Sequence, residues 1–353
     1  MENFRYYVPT DIRFGKNRLN ELPEALKQFG QKILFVYGGG SIKTNGLYDE
    51  VLKQLIDFEV SELSGIEPNP KIESVRKGIQ IAKENNVKVI LAVGGGSVID
   101  AAKIIAAGYY YDGDAWDLVL DSSKINLALP IVDVLTIAAT GTEMNRNAVI
   151  SNSETKEKLG AHGLNLIPKI SFLDPTNTFS VSKYQTAAGS IDIMSHIFEQ
   201  YFNSTLATDL QDAISEGILK TVIKNTPIAL KEPINYDARA NLLWASSIAL
   251  NGLESTGKIG GWTVHPIEHE LSAYYDITHG VGLGIITPRW LQYILNSRLD
   301  VTKKIAQYGK NVWGIVGEDD LKIAQKAIDE TYSFFKSLEI PMSLSELNIN
   351  NEN

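Results

Sequence analysis

Two short apolar runs, each ending in the same four residues, constrain this chain more than any other feature. Ile33-Leu34-Phe35-Val36-Tyr37 leads into Gly38-Gly39-Gly40-Ser41, and Val87 to Val93 leads into Gly94-Gly95-Gly96-Ser97. Continuous β-branched and aromatic runs without polar alternation predict strands buried on both faces. A helical pattern follows each. Leu47, Val51, Leu52, Leu55 and Ile56 form one face after the first, and Ile99, Ala102, Ile104 and Ile105 mark the helix after the second. Between them lie the loop Glu67-Pro68-Asn69-Pro70 and a helix carrying Val75, Ile79 and Ala82. Buried strands separated by helices predict a parallel sheet covered on both sides. Val132 to Ile137 and Ile170 to Leu173 read as later strands of it.

The pattern changes after Asp174-Pro175. Long helical periodicities cover 209–224, 237–250 and 321–338, with almost no strand-like runs. Two domains are expected from the 353 residues: an α/β domain over 1–180 and an all-helical domain over 181–353. A net charge of −9 argues against a nucleic-acid or anionic membrane surface. No apolar run approaches a membrane span, and Met-Glu-Asn-Phe-Arg does not read as a signal peptide, so the expected location is the cytoplasm. Cysteine is absent, which removes disulfides, catalytic thiols and thiolate metal sites; any metal must be held by His, Asp or Glu.

A strand that ends in glycines and runs into a helix is a physical anion site. The backbone can approach a phosphate closely, and the helix start offers unpaired N–H groups. Two such loops suit a ligand with two separated polar groups, such as a dinucleotide. Neither fits G-x-G-x-x-G, because the sixth position is Lys43 in one and Ile99 in the other, and no Walker pattern follows. The plainer reading of either loop alone is a tight strand-to-helix turn.

Four of the five histidines fall in the helical half: His196, His265, His269 and His279. Asp192 and His196 are four apart, as are His265 and His269, a spacing that puts each pair on one helical face. Either pair alone is more often structural. Together they point to a divalent metal on an Asp/His set, with the fourth histidine free to carry protons. Spacing does not say which three histidines ligate.

These stretches resemble the iron-containing (group III) alcohol dehydrogenases, and within them the NADP-dependent butanol dehydrogenase branch. The carrying residues are the two Gly-Gly-Gly-Ser loops, Thr136-Ile137-Ala138-Ala139-Thr140-Gly141-Thr142-Glu143, Asp192-x3-His196, and the run from His265-Pro266-Ile267-Glu268-His269 to His279-Gly280. The similarity spans about residues 5 to 345. It implies a nicotinamide-binding α/β domain and a helical metal domain, in the dehydroquinate synthase-like arrangement. It implies Asp192, His196, His265 and His279 as metal ligands, holding Fe²⁺ with Zn²⁺ as replacement, and His269 as a proton-exchanging catalytic residue. The pyrophosphate is expected on Gly95, Gly96 and Ser97 beside Asp100. Thr136, Thr140, Asn147, Lys158 and Thr178 fall where relatives contact the cofactor, and Asn69 on its adenosine side. Without the resemblance, Lys158 would read as a solvated surface charge.

The implied chemistry is reversible hydride transfer between NADP(H) and a primary aliphatic alcohol or aldehyde such as butanol or butanal, in a homodimer. NADP(H) is expected over NAD(H). The loop Gly39-Gly40-Ser41 has no acid to repel a 2′-phosphate, and Lys43 follows it. Two departures stand out: relatives continue for a few dozen residues beyond the equivalent of Leu347, and Gly261 occupies a place that is commonly acidic. Trp244, Leu250 and Trp262 are candidates for an apolar substrate pocket, with core packing the simpler expectation for each. A glycerol-dehydrogenase-like polyol oxidoreductase, a dehydroquinate-synthase-like lyase and an inert nucleotide binder are the rivals. The lyase is disfavoured, because 258–280 carries no basic residue besides Lys258 and the histidines.

Overall fold

The computed structural model describes residues 1–350 apart from 204 and 206. The chain forms two compact units. The α/β unit holds Tyr7–Val181 and Ala273–Asp276; the helical unit holds Met1–Tyr6, Ser182–Ser272 and the chain from Ile277 on. The single cut expected near residue 180 therefore misses two excursions, the first six residues and the short stretch 273–276.

In the α/β unit the elements run β1 (Asp11–Phe14), α1 (Leu22–Lys27), β2 (Lys32–Gly38), α2 (Ser41–Thr44), α3 (Leu47–Gln54), β3 (Glu59–Ile66), α4 (Ile72–Glu84), β4 (Val89–Gly94), α5 (Gly96–Gly108), α6 (Ala115–Leu120), β5 (Ile131–Leu135), β6 (Asn147–Asn152), β7 (Glu157–His162) and β8 (Ile170–Leu173). Six strands form one sheet in the order β1-β8-β5-β4-β2-β3, every pair parallel. β6 and β7 form a separate antiparallel hairpin. Every residue of β4 and β5 is buried, as a strand covered on both faces requires. Helix α5 is buried along nearly its whole length. Glycines admit α4 beside it: a Cβ on Gly108 would meet Ile79 Cδ1 at 2.2 Å, and one on Gly78 would meet Ile105 Cδ1 at 2.4 Å. Ile56, placed on the apolar face of the first helix, lies beyond the end of α3 and is exposed.

In the helical unit come α7 (Lys183–Tyr201), α8 (Asp209–Lys231), α9 (Tyr236–Ala249), α10 (Val264–Tyr275), α11 (His279–Ser297), α12 (Thr302–Trp313) and α13 (Asp320–Ser337). Among the described residues it contains no strand, and no helix of the chain is long and apolar enough to cross a membrane. α7 is the hub: Ser182 caps its N-terminus by accepting from Gln185 N, and every residue from Thr186 to Tyr201 is buried. α8 continues past its expected end through Pro227.

The chain between α9 and α10 is irregular and carries Glu254, whose carboxylate accepts from Ser215 and leaves Oε1 without a hydrogen-bond partner. Burial pushes this carboxyl up to about 7, against the opposing pull of Ser215 and Lys258. The folded protein therefore holds the Glu254 proton more tightly than the unfolded chain does. Its contribution to stability is fully present below the ordinary carboxylate range and is lost as pH rises towards about 7. Glu254→Gln keeps the neutral form. The variant should gain on the wild type by up to about 3 kcal/mol between pH 4.5 and 8. Urea midpoints that run parallel over that interval would show that Glu254 titrates normally.

Candidate functional site

The two glycine loops lie side by side. β2 and β4 are neighbours in the sheet with Tyr37 opposite Val93, so both loops leave the same, carboxyl, end of the sheet. The chain goes from β2 outward to β3 and from β4 outward to β5, in opposite directions, so the strand order reverses between them. In open α/β sheets ligands bind at that reversal. A sequence pattern confined to each loop could not reveal this adjacency.

The loops differ in what their glycines do. A Cβ on Gly95 would meet Ile137 Cγ2 at 2.6 Å, and one on Gly96 would meet Thr140 Oγ1 at 2.5 Å. The second loop is thus roofed by the segment after β5, and its N–H groups open α5, a thirteen-residue helix. That is a geometry that suits a phosphate, with Ser97, Thr136 and Thr140 half-buried around it. Gly39 and Gly40 have open space beside them; Gly40 is needed for its left-handed φ of 117°. Ser41 is exposed.

Asp100 is buried, and its carboxylate ties helix to hairpin: Oδ1 accepts from Thr142 Oγ1 at 2.6 Å and Oδ2 from Val149 N at 2.9 Å. Asn147 starts the hairpin and is exposed, while Lys158 on β7 is buried, not the solvated charge its sequence setting suggests. Asn69 takes a left-handed φ of 50° and donates to Asp276 Oδ1 at 3.0 Å. Its loop is stitched to the hairpin by Ser151 N donating to Pro70 O. Thr178 is buried and donates to Pro175 O at 2.7 Å.

One expectation about the first loop needs correcting. No acid follows Tyr37 in sequence, yet the neighbouring β3 brings Glu62 there, accepting from Tyr37 Oη at 2.8 Å and from Tyr48 Oη at 3.0 Å. Lys43 Nζ lies over both rings, 5.0 and 4.6 Å from their centroids. Partial burial and the bond to Glu62 push the Tyr48 hydroxyl up to about 12.

In the helical unit, three imidazole nitrogens surround one buried oxygen. Asp192 Oδ1 lies 3.5 Å from His196 Nε2, 3.7 Å from His265 Nε2 and 3.7 Å from His279 Nε2. Four ligands around a tetrahedral ion with bonds of about 2.1 Å stand about 3.4 Å apart. Asp192 Oδ1 and His265 Nε2 are buried without a hydrogen-bond partner. Orphaned acceptor atoms that converge in this way fit a divalent metal. Asp192, His265 and His279 have ligand atoms mutually within 4.8 Å; so do Glu268, His269 and His279, which keeps His269 close to the same centre. Burial works to raise the Asp192 carboxyl, but the attraction of the surrounding imidazoles when protonated, His196 foremost, outweighs it and holds it well below the carboxylate range. Burial pushes His196 down to about 3, so that imidazole carries its charge only in acid and is neutral at neutral pH.

Two carboxylates that spacing did not single out fix the imidazoles. Glu199 pairs with His265 Nδ1 and also accepts from Thr263 N, from Val264 N at 2.6 Å and from His265 N at 3.1 Å. It caps α10 from a neighbouring helix and holds its first histidine with the same group. Glu268 pairs with His279 Nδ1 and accepts from Ser272. A carboxylate on Nδ1 sets the tautomer that leaves Nε2 for a metal. Asp192, His196 and Glu199 stand at i, i+4 and i+7 of α7, so the signal was present on one helical face. Trp262 stands edge-on to His265, with ring centroids 5.0 Å apart, yet is 44% exposed; Trp244 is also exposed, so neither is core. Gly261, beside Trp262, is exposed.

The glycine after His279 has a packing reason. A Cβ on Gly280 would lie 2.0 Å from Ala188 O and 2.5 Å from Ala188 C, both backbone atoms of α7. Gly→Ala inside a helix ordinarily stabilises by about 1 kcal/mol. Here α11 would have to move off the helix that carries Asp192. Gly280→Ala should lose about 2 kcal/mol or more in denaturant unfolding, against the propensity trend; a stabilised variant would contradict the contact.

Comparison with known proteins covers nearly the whole chain. The family model for iron-containing alcohol dehydrogenase matches residues 9–175, and that for the C-terminal region of the Fe-containing alcohol dehydrogenase family matches 186–353. NADH-dependent butanol dehydrogenase A of Clostridium acetobutylicum is 54% identical over 99% of this chain and 90% of its own length. The NADPH-dependent aldehyde reductase YqhD of Escherichia coli is 40% identical over 98% of this chain and 89% of its own. The crystal structure of NADH-dependent butanol dehydrogenase A from Thermotoga maritima superposes with a TM-score of 0.96 at 43% identity, covering 100% of this chain and 88% of that one. The chain is an alcohol oxidoreductase and belongs to the iron-containing alcohol dehydrogenase family.

Proposed function

We propose that this enzyme is a metal-dependent primary-alcohol dehydrogenase, working in reverse as an aldehyde reductase, with butanol and butanal as representative substrates and NADP(H) preferred. The observation that carries the metal reading is Asp192 Oδ1 ringed by three Nε2 atoms at 3.5–3.7 Å. Asp192, His196, His265 and His279 are assigned as ligands, for Fe²⁺ with Zn²⁺ as the replacement, since both ions accept an oxygen and three imidazoles. Such an ion supplies Lewis acidity towards the substrate oxygen, and the nicotinamide supplies or takes the hydride.

The chain's own residues do the rest. Glu199 and Glu268 keep the Nδ1 protons of His265 and His279 in place, which fixes the ring orientations. His269, half-buried with its ring 5.6 Å from that of His279, is assigned to proton exchange. The cradle at Gly95, Gly96 and Ser97 takes the pyrophosphate, and the open loop at Gly39-Gly40-Ser41 takes the adenosine ribose end. The relatives' names support the alcohol and aldehyde substrate class.

Three variants should separate these roles when metal content and butanal turnover are measured together. His265→Ala should lose both. His269→Ala should keep the metal and slow turnover by about 100-fold. Glu199→Gln can keep an acceptor for Thr263 N and Val264 N but then turns a donor towards His265 N and Nδ1. The His265 proton then moves to Nε2, and metal affinity should fall by about 10- to 100-fold in a folded protein. Stoichiometric metal in His265→Ala would refute the ligand set, and metal loss in His269→Ala would make that residue a ligand.

Cofactor choice is tested at the first loop. The N–H groups there, Ser41 and Lys43 favour a 2′-phosphate, and the space beside Gly39 would accept a carboxylate. NADPH should show the higher kcat/KM in the wild type and lose most of that advantage in Gly39→Asp. A wild type that prefers NADH would overturn the preference.

A further inference from the structure

Lys103 is the most completely buried cation among the described residues, with 0% exposure, and nothing in the proposed chemistry uses it. It lies on α5, two turns beyond the phosphate cradle at Gly96. Its ammonium donates to Thr142 Oγ1 at 2.7 Å, to Asn147 O at 2.7 Å and to Asn145 O at 3.0 Å, with Asn145 Oδ1 at 3.2 Å. Three of these acceptors belong to the segment between the roof of the glycine loop and the hairpin, and the fourth, Asn147 O, to the first residue of the hairpin. Asp100, one turn closer to the cradle, completes the connection by accepting from Thr142 Oγ1 and Val149 N. Asn145 in turn donates to Gly141 O at 2.9 Å and accepts from Asn147 N at 2.9 Å.

This arrangement is costly if it serves packing alone. Burying an ammonium forfeits its hydration, and an apolar side chain of similar volume would fill the space. Burial lowers the Lys103 ammonium to about 8, with Asp100, Asp133 and Glu143 opposing, so it keeps its charge at neutral pH. The segment it holds is the continuation of Ile137 and Thr140, the two residues pressed on Gly95 and Gly96 within 2.6 Å of where a Cβ would stand. With so little slack, a shift of 141–147 must pass to the roof of the cradle.

We propose that Lys103 is a positioning residue for the nucleotide. By satisfying the inward-facing acceptors of 142–147 it locks that segment to α5, and the shape of the Gly95–Gly96 cradle depends on the lock. The proposal rests on the reading that the cradle takes the cofactor's pyrophosphate. It predicts a split between binding and turnover, because Lys103 touches neither substrate nor cofactor.

The test uses the metal-loaded protein and two variants, Lys103→Met and Thr142→Val. The second removes the hydroxyl that links Lys103 to Asp100 and leaves the lysine's backbone acceptors in place. The dissociation constant for NADPH and NADH is read by fluorescence titration, beside metal content, kcat at saturating nucleotide, and hydrogen exchange of 141–149 without nucleotide. Lys103→Met should weaken nucleotide binding by about tenfold or more, and Thr142→Val by several-fold. Metal should stay stoichiometric, kcat should change little, and exchange in 141–149 should rise. A folded Lys103→Met that binds nucleotide like the wild type overturns the proposal. If that variant does not fold, unchanged binding in Thr142→Val overturns it. A wild type that binds neither nucleotide would instead bring down the cradle reading, and this proposal with it.

Discussion

A single carboxylate oxygen, Asp192 Oδ1, organises the helical unit. It is buried, receives no hydrogen bond, and has three imidazole nitrogens within 3.7 Å. Two further buried carboxylates, Glu199 and Glu268, stand behind two of those imidazoles. Three clustered anions in a dry interior would be strongly destabilising alone. Protons on the histidines offset part of that cost, and a divalent cation offsets it better because it binds several oxygens and nitrogens at once. The surrounding helices are built for closeness. Gly280 meets the α7 backbone, and a Cβ on Gly282 would lie 2.7 Å from Glu268 Cγ. The glycines of α11 therefore serve the position of His279, and the order His-Gly reads as one structural statement.

The α/β unit solves a different problem with the same residue. Parallel strands bring two strand ends together at the point where the chain changes direction across the sheet, and they leave a crevice there. Glycine in the second loop removes bulk beneath Ile137 and Thr140; glycine at position 40 permits a left-handed turn. Identical quartets thus have unequal roles. The tighter one stands over the long buried helix, whose aligned N–H groups give it the stronger claim on an anion.

What could be read in advance follows from how local each signal is. β2, β4 and β8 were legible because a strand buried on both faces is apolar almost throughout, Ser171 in β8 being buried with its hydroxyl donating to Asp133. β3 was not, because it is an edge strand with Ser61, Glu62, Ser64 and Gly65 in it, and β6–β7 carries Asn, Ser, Glu and Lys on a partly solvated ribbon. The histidine cluster was legible from i,i+4 spacing and resemblance. Glu268 was not, since its role appears only when α10 and α11 bring it to His279. Lys103 was not singled out, because its acceptors lie about 40 residues away in sequence.

Glu62 shows how the same non-locality bears on the proposed cofactor choice. Judged by sequence, the first loop is a cationic end with Lys43 and no acid. In the fold, Lys43 lies over two tyrosines that both donate to Glu62, so one positive and one negative charge share a single aromatic platform. The local charge is close to zero. Glu62 is already engaged by two hydroxyls, so it is poorly placed to offer the ribose-binding acceptor that NAD-specific sites use, yet its field remains and offsets part of the attraction of Lys43 for a phosphate. Discrimination then rests on the exposed N–H groups and Ser41, which bind a phosphate well but do not exclude a hydroxyl. The proposed preference for NADPH therefore rests on a small margin at this loop, which is why a single carboxylate at position 39 is the change chosen to test it.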